Sequence, residues 1–155
     1  MLMLLMIKIV CVGKIKENFY KEAITEYQKR LSKYTKLDII ELPDVSFDIK
    51  KTLKEEYNSM MKIFNSSDYN ILLDISGKEM DSISFSEKLN DVLVNNSNIT
   101  FFIGGSYGVL DELREKCNLR ISFSKLTFPH QLFRVILLEQ IYRAFKIINN
   151  EEYHK

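Results

Sequence analysis

The chain has 155 residues, 46% of them hydrophobic and 28% charged, with 22 Lys and Arg against 21 Asp and Glu for a net charge of +1. That length predicts a single domain, residues 1–155, which buries roughly 70% of the surface its unfolded form exposes. The apolar content excludes a disordered chain, and the near-balanced charge excludes a strongly basic nucleic-acid module, so any nucleic-acid site is local or shared with a partner.

The opening MLMLLMIKIVCVG is apolar up to Lys8, which is too short to span a membrane. It also lacks the basic start and small-residue cleavage site of a secretory signal. Met1 to Leu5 reads as a segment ahead of the natural start, with Met6 as the candidate first residue, and Ile7–Val12 as a buried first strand. Four more runs dense in Ile, Leu, Val or Phe read as strands: Leu37–Leu42, Tyr69–Ile75, Ile99–Ile103 and Leu119–Phe123. The third and fourth strands are almost continuously apolar, as strands covered on both faces of a parallel sheet are.

Helical periods fill the gaps. Phe19, Tyr20, Ala23, Ile24, Tyr27, Leu31 and Tyr34 mark the first, and Leu53, Tyr57, Met60, Met61 and Phe64 the second. A third runs near Phe85 to Leu93, a weak fourth spans Leu110 to Cys117, and a long apolar fifth spans Leu132 to Ile148. Each stripe is read as core packing. Strict alternation of strand and helix with short connections predicts an α/β three-layer sandwich around a mostly parallel sheet.

Cys11 and Cys117 form no CxxC pair, and with only His130 and His154 beside them no metal-ligand spacing emerges. They read as reduced, buried thiols, which points to a reducing compartment. All five glycines follow a predicted strand, and Pro43 and Pro129 mark strand and loop ends, so the punctuation gathers at the edge where open α/β sheets bind ligands. The run Ile103–Gly108, IGGSYG, is neither a P-loop nor GxGxxG, so phosphate cradling is disfavoured. A nucleoside carrying an amino-acid tail suits it better. Ser122–His130, SFSKLTFPH, reads as a half-apolar buried loop whose backbone groups need partners. Phe128 should be extended ahead of Pro129, which starts the last helix.

IGGSYG, the run LRISFSKLTFPHQLFRVILLEQIYRAFKI and the terminal EEYHK resemble the ribosomal RNA large subunit methyltransferase H family, within the SPOUT superfamily of S-adenosylmethionine-dependent methyltransferases. MIKIVCVGKIKENFYKEAITEYQKRLSKY and LLDISGKEMDS resemble the family's opening and centre, so the likeness covers nearly the whole chain. The resemblance implies a C-terminal trefoil knot and a homodimer. The implied activity is methylation of N3 of a pseudouridine in 23S rRNA within the assembled ribosome, in the cytoplasm, with no metal and no membrane partner.

Residue by residue, the resemblance implies a cofactor site at Leu73, Gly104, Gly105, Phe123, Ser124, Lys125, Leu126, Thr127 and Phe128. Arg143, Tyr153 and His154 are the catalytic candidates, with Glu139 on the same helical face as Arg143. Arg143 would hold a phosphate or stabilise a developing imide anion, and His154 would serve as base or RNA contact. The basic groups Lys29, Arg30, Lys33, Lys36 and Lys50, Lys51, Lys54 are either rRNA contacts or solvated faces. Two features depart from the family pattern. PDVSFDIK after the second strand is short and not basic, so no RNA contact is carried over there, and Tyr107 stands where relatives vary. The competing expectations are a non-catalytic ribosome-binding or assembly factor on the same fold and a small nucleotide- or flavin-binding protein.

Overall fold

A computed structural model describes residues 5–96 and 98–155; the reading of Met1 to Leu5 as a leading segment lies, Leu5 apart, outside them. The element order is β1 (Met6–Val12), α1 (Asn18–Leu31), β2 (Lys36–Leu42), α2 (Ile49–Met61), β3 (Tyr69–Glu79), α3 (Ser82–Asn95), β4 (Asn98–Ile103), α4 (Asp111–Lys116), β5 (Leu119–Ser122) and α5 (His130–Ile148). The five strands form one sheet in the order β2-β1-β4-β3-β5, with every pair parallel.

The two-residue strand period sorts the core into two layers. Ile7, Ile9 and Cys11 of β1, Ile71 and Leu73 of β3, and Ile99, Phe101 and Ile103 of β4 face α1, α3 and α5. Val10, Leu72 and Phe102 face the other way, toward Met60 of α2 and Leu113 of α4. Connections that step toward β2 carry α1 and α3 on one face. Those that step toward β5 carry α2 and α4 on the opposite face, as crossovers of a single hand require. Local chemistry fixes two helix starts: Asp48 accepts from the Lys51 amide at 2.9 Å ahead of α2, and Asp81 from the Ser84 amide at 2.7 Å ahead of α3.

β1, β2 and β4 each start one residue earlier than expected, and two strand ends also move. β3 runs past Ile75 to Glu79, but its pairing with β5 breaks: Ile121 is opposite Leu73 and again opposite Lys78, so residues 74–77 bulge out of the ladder. Gly77 is therefore inside a strand, not in a turn after one. A Cβ there would lie 2.8 Å from the backbone of Arg120 and Ile121, so glycine is required by close approach of two backbones. β5 stops at Ser122, one residue early, because Phe123 turns into the following loop.

Cys11 is buried and Cys117 half-buried, and both are free; desolvation pushes their thiols up to about 11 and about 12. Among the described residues, no helix is long and apolar enough to cross a membrane.

Candidate active site

The bulge in β3 and the loop after β5 meet at the carboxyl edge of the sheet. They line an open cavity of about 120 Å³ bounded by Leu73, Phe123, Ser124, Leu126, Thr127 and Phe128, together with Asp74, Ile75, Ile121, Ser122 and Phe133. Six of the nine residues expected at a cofactor site thus share one cavity. Phe123 and Phe133 pack with ring centroids 5.4 Å apart, and Phe128 stacks on Phe133 at 6.2 Å, making an aromatic wall.

Residues 123–128 are not the buried loop that their composition suggests. Lys125, Leu126 and Thr127 are exposed, Leu126 by 73%. Nothing in the fold covers them, because the loop rims the cavity. The Ser124 hydroxyl accepts from the Leu126 amide at 2.9 Å and tightens the turn. Among the described residues, the amides of Lys125, Thr127 and Phe128 have no acceptor. Free backbone donors beside apolar walls are the donor set that a purine nucleoside requires.

Asp74 is nearly fully buried in this rim. Burial works to raise its pKa, but the Arg114 guanidinium (Nε to Oδ2, 2.8 Å) and the Ser76 amide hold the carboxyl below its ordinary value. Arg120 Nη1 lies 3.6 Å from the same oxygen, so the carboxylate is ionised and neutralised by two guanidiniums.

The glycine loop is placed differently. Leu73 and Ile103 are register partners, so Gly104 stands one step beyond the end of the β3–β4 pair, beside the first cavity but not lining it. A Cβ on Gly104 would lie 2.6 Å from Val109 Cγ1 and 2.7 Å from the Gly108 carbonyl, because the loop folds back on itself. Gly105 faces the other way. It lines a second, polar cavity with Val12, Asp44, Phe47, Glu56, Tyr107 and His130, and a Cβ there would come 2.5 Å from Glu56 Oε2. Lys125 projects at the loop tip and lines neither cavity.

Arg143, Tyr153 and His154 come together around Glu139. Arg143 donates to Glu139 through Nη2 at 2.7 Å and Nε at 3.3 Å, Tyr153 Oη donates to Oε1 at 2.9 Å, and Arg143 Nη1 lies 3.1 Å from His154 Nδ1. The guanidinium carbon also sits 4.7 Å from the centre of the Tyr153 ring. The hydrogen bond to Glu139 raises the Arg143 pKa further. This cluster adjoins a third opening, lined by Ser82, Gln140 and the shared Phe123 and Phe128: Ser82 Oγ donates to Gln140 at 2.7 Å, and Gln140 donates to Glu139 at 3.3 Å.

Two acidic residues of the region, Asp74 and Glu56, carry no signal in the sequence. Asp74 ends an apolar run, and Glu56 lies in a Lys/Glu-rich helix where every charge looks solvated. Among the described residues, no group of three or more His, Cys, Asp or Glu side chains is arranged to hold a metal ion.

Comparisons with known proteins agree with this architecture. The family model described as "Predicted SPOUT methyltransferase" matches residues 5–154. A ribosomal RNA large subunit methyltransferase H of Clostridium botulinum (strain 657 / Type Ba4) is 50% identical over 157 residues, spanning 96% of this chain and 99% of the relative. The protein of that name from Caldicellulosiruptor saccharolyticus is 45% identical over 154 residues, spanning 97% of this chain and 100% of the relative. With a match over nearly its whole length and near-complete alignment to these relatives, the chain belongs to the SPOUT methyltransferase family, among the ribosomal RNA large subunit methyltransferase H proteins.

Proposed function

We propose that the protein is an S-adenosylmethionine-dependent methyltransferase that methylates N3 of a pseudouridine in 23S rRNA of the assembled ribosome. It acts in this reading as a cytoplasmic homodimer of one-domain subunits, with the segment after β4 threaded as a trefoil knot. The observation that carries the reading is the meeting of Leu73 with residues 123–128 around one open, apolar, amide-lined cavity in a chain of this family.

When bound, the cofactor supplies an electrophilic methyl group on a positively charged sulfur. The chain's own residues then position and protect. Amides of the 123–128 loop hold the nucleoside part, and Leu73, Leu126, Phe128 and Phe133 exclude water. Gly104, one step beyond the β3–β4 pair, lets the neighbouring backbone come close to the amino-acid part. Arg143, fixed by Glu139, lowers the pKa of the imide N3–H by stabilising its anion, and Tyr153 and His154 hold the base edge beside it. The net charge of +1 leaves free RNA weakly bound, which suits a substrate presented by a ribosome.

The test is calorimetric titration with S-adenosylmethionine of the natural chain and of Leu126→Asp, followed by methyl incorporation into purified ribosomes. Leu126 is exposed, so the substitution leaves the fold intact while setting a charge in the apolar rim. Saturable binding that the variant loses, with methyl incorporation that needs Arg143, upholds the reading. Absence of binding by the natural chain, with and without ribosomes, overturns it in favour of a non-catalytic ribosome-binding factor.

A further inference from the structure

The cavity on the other side of the glycine loop, of about 700 Å³ including its mouth, opens where β1, β2 and β4 end. We propose that it receives an unstacked nucleobase bearing a ring N–H, with Glu56 as the acceptor at its floor. The inference rests on the rRNA-modifying reading and assigns it a second contact, separate from the cofactor cavity.

Glu56 is 6% exposed, lines the cavity, and its Oε1 has no hydrogen-bond partner among the described residues. The nearby Thr52 hydroxyl, which accepts from the Phe47 amide at 3.1 Å, makes no hydrogen bond to Glu56 Oε1. A buried carboxyl oxygen without a partner is expensive to keep and is retained where something else supplies the donor. Gly105 leaves room for the carboxyl: a Cβ there would lie 2.5 Å from Oε2 and 2.8 Å from Oε1 and would push it aside.

The rim is built for a base and its phosphate. Phe47 and Tyr107 are 46% and 51% exposed at the mouth. Lys51 Nζ stands 4.1 Å from the centre of the Phe47 ring. Exposed aromatic faces with an adjacent cation are how proteins stack a splayed-out base and meet its backbone. The donor is a ring N–H, such as the imide of a uracil-type base or the N1–H of guanine. A base neighbouring the target offers that chemistry, since the target's own N3 must face the cofactor.

The experiment titrates the isotope-labelled full chain with uridine, guanosine, N3-methyluridine and methylammonium, reading amide shifts, beside Glu56→Leu and Phe47→Ala. The expected result is that uridine or guanosine moves the Gly105, Ser106 and Tyr107 amides, and the tighter of the two identifies the neighbouring base. N3-methyluridine should move them far less, Phe47→Ala should weaken binding roughly tenfold, and Glu56→Leu should abolish it.

Glu56→Leu should also melt no lower than the natural chain, because it removes an unpartnered buried carboxyl. It should bind S-adenosylmethionine unchanged yet lose at least tenfold in ribosome methylation. Nucleoside shifts that persist in Glu56→Leu, shifts produced by methylammonium alone, or a lower melting temperature with methylation intact would each overturn the proposal. If the natural chain fails to methylate ribosomes while nucleosides still move these amides, the methyltransferase reading fails and the base site stands.

Discussion

Tyr153 Oη donates to Glu139 Oε1 at 2.9 Å, and this bond closes the carboxyl-terminal tail onto α5. The tail is a built element. The chain reverses at Asn150, whose φ is +54°, and Glu151 is then gripped by Tyr34 at 2.7 Å and Lys146 at 3.0 Å. Glu139 is the hub, because it also holds both faces of the Arg143 fork. Glu139→Ala should therefore release Arg143 and Tyr153 together. We expect a stability loss of about 1.5 kcal/mol, since the site is only half-buried and the lost bonds involve charged groups. Ribosome methylation should fall by one to two orders of magnitude with S-adenosylmethionine affinity unchanged. An equal loss of cofactor affinity in calorimetry would show that Glu139 supports the cofactor cavity instead.

The same hydrogen bond sets a pH signature. Burial, and then the bond to Glu139, push the Tyr153 phenol up to about 12 from an ordinary 10. The raised value means that the folded state favours the neutral phenol. Its contribution to stability is complete below pH 10 and is lost as pH rises toward 12. Absorbance titration of the folded protein should show a tyrosinate step near 12 that Tyr153→Phe removes. A Tyr153→Phe variant with the natural titration curve would mean that the tail is not docked in solution.

All ten elements were legible in the chain: the strands as short runs dense in Ile, Leu, Val or Phe, and the helices, α4 only weakly, by three- to four-residue spacing such as Ile24–Tyr27–Leu31, although Phe19, counted in the same stripe, is exposed. The loop that lines the first cavity stood out too, by the mixture of Ser, Lys and Thr with Phe and Leu around Pro129, whereas the glycine loop lies beside that cavity and Gly105 lines the polar one. What the sequence hid depends on relations across the sheet. The split in β3 comes from pairing with β5, which no local pattern of residues 73–78 encodes. Gly104 and Gly105 are adjacent in the chain, yet the folded loop turns one against Val109 and the other against Glu56. Glu56 itself looks like any helix-surface acid until Gly105 and the β2–α2 segment enclose it.

The split in β3 sets Gly77 hard against the backbone of β5 beside the first cavity. An added methyl would sit 2.8 Å from the backbone of Arg120 and Ile121, where neither strand can yield without breaking the ladder. Gly77→Ala should cost about 1–3 kcal/mol through overpacking, and it should weaken S-adenosylmethionine binding by moving Leu73 and Asp74. Gly108→Ala is the control. It has open space around it but a φ of +82°, so it should lose about 1–2 kcal/mol with the cavity undisturbed. Thermal melts paired with calorimetry separate the two effects. Equal cofactor affinity in both variants would show that the bulge does not shape the cavity.

Arg134 ties the first turn of α5 to the opposite end of the chain. It is 3% exposed and donates to Glu41 Oε2 at 2.9 Å and to the carbonyls of Val12 and Gly13 at 2.6 and 2.8 Å. Glu41 in turn accepts from the Ile15 amide at 2.8 Å, and Gln131, one turn earlier on α5, accepts from the Lys16 amide at 3.0 Å. The β1–α1 connection is therefore held by α5, on the element that also carries His130 into the polar cavity. Arg134→Lys keeps the charge but not the fork, and one ammonium cannot reach a carboxylate and two carbonyls in that geometry. Breaking a buried pair this way costs about 3 kcal/mol, or a fall of roughly 6–12 °C in Tm for a chain of this size. Arg134→Met should lose less than Arg134→Ala, because it fills the volume and removes the Nε that already lacks a partner. Hydrogen exchange should quicken at Ile15 and Lys16 in all three variants. If Arg134→Lys melts with the natural chain, the two carbonyl contacts contribute nothing, and the Glu41 pair alone holds the connection.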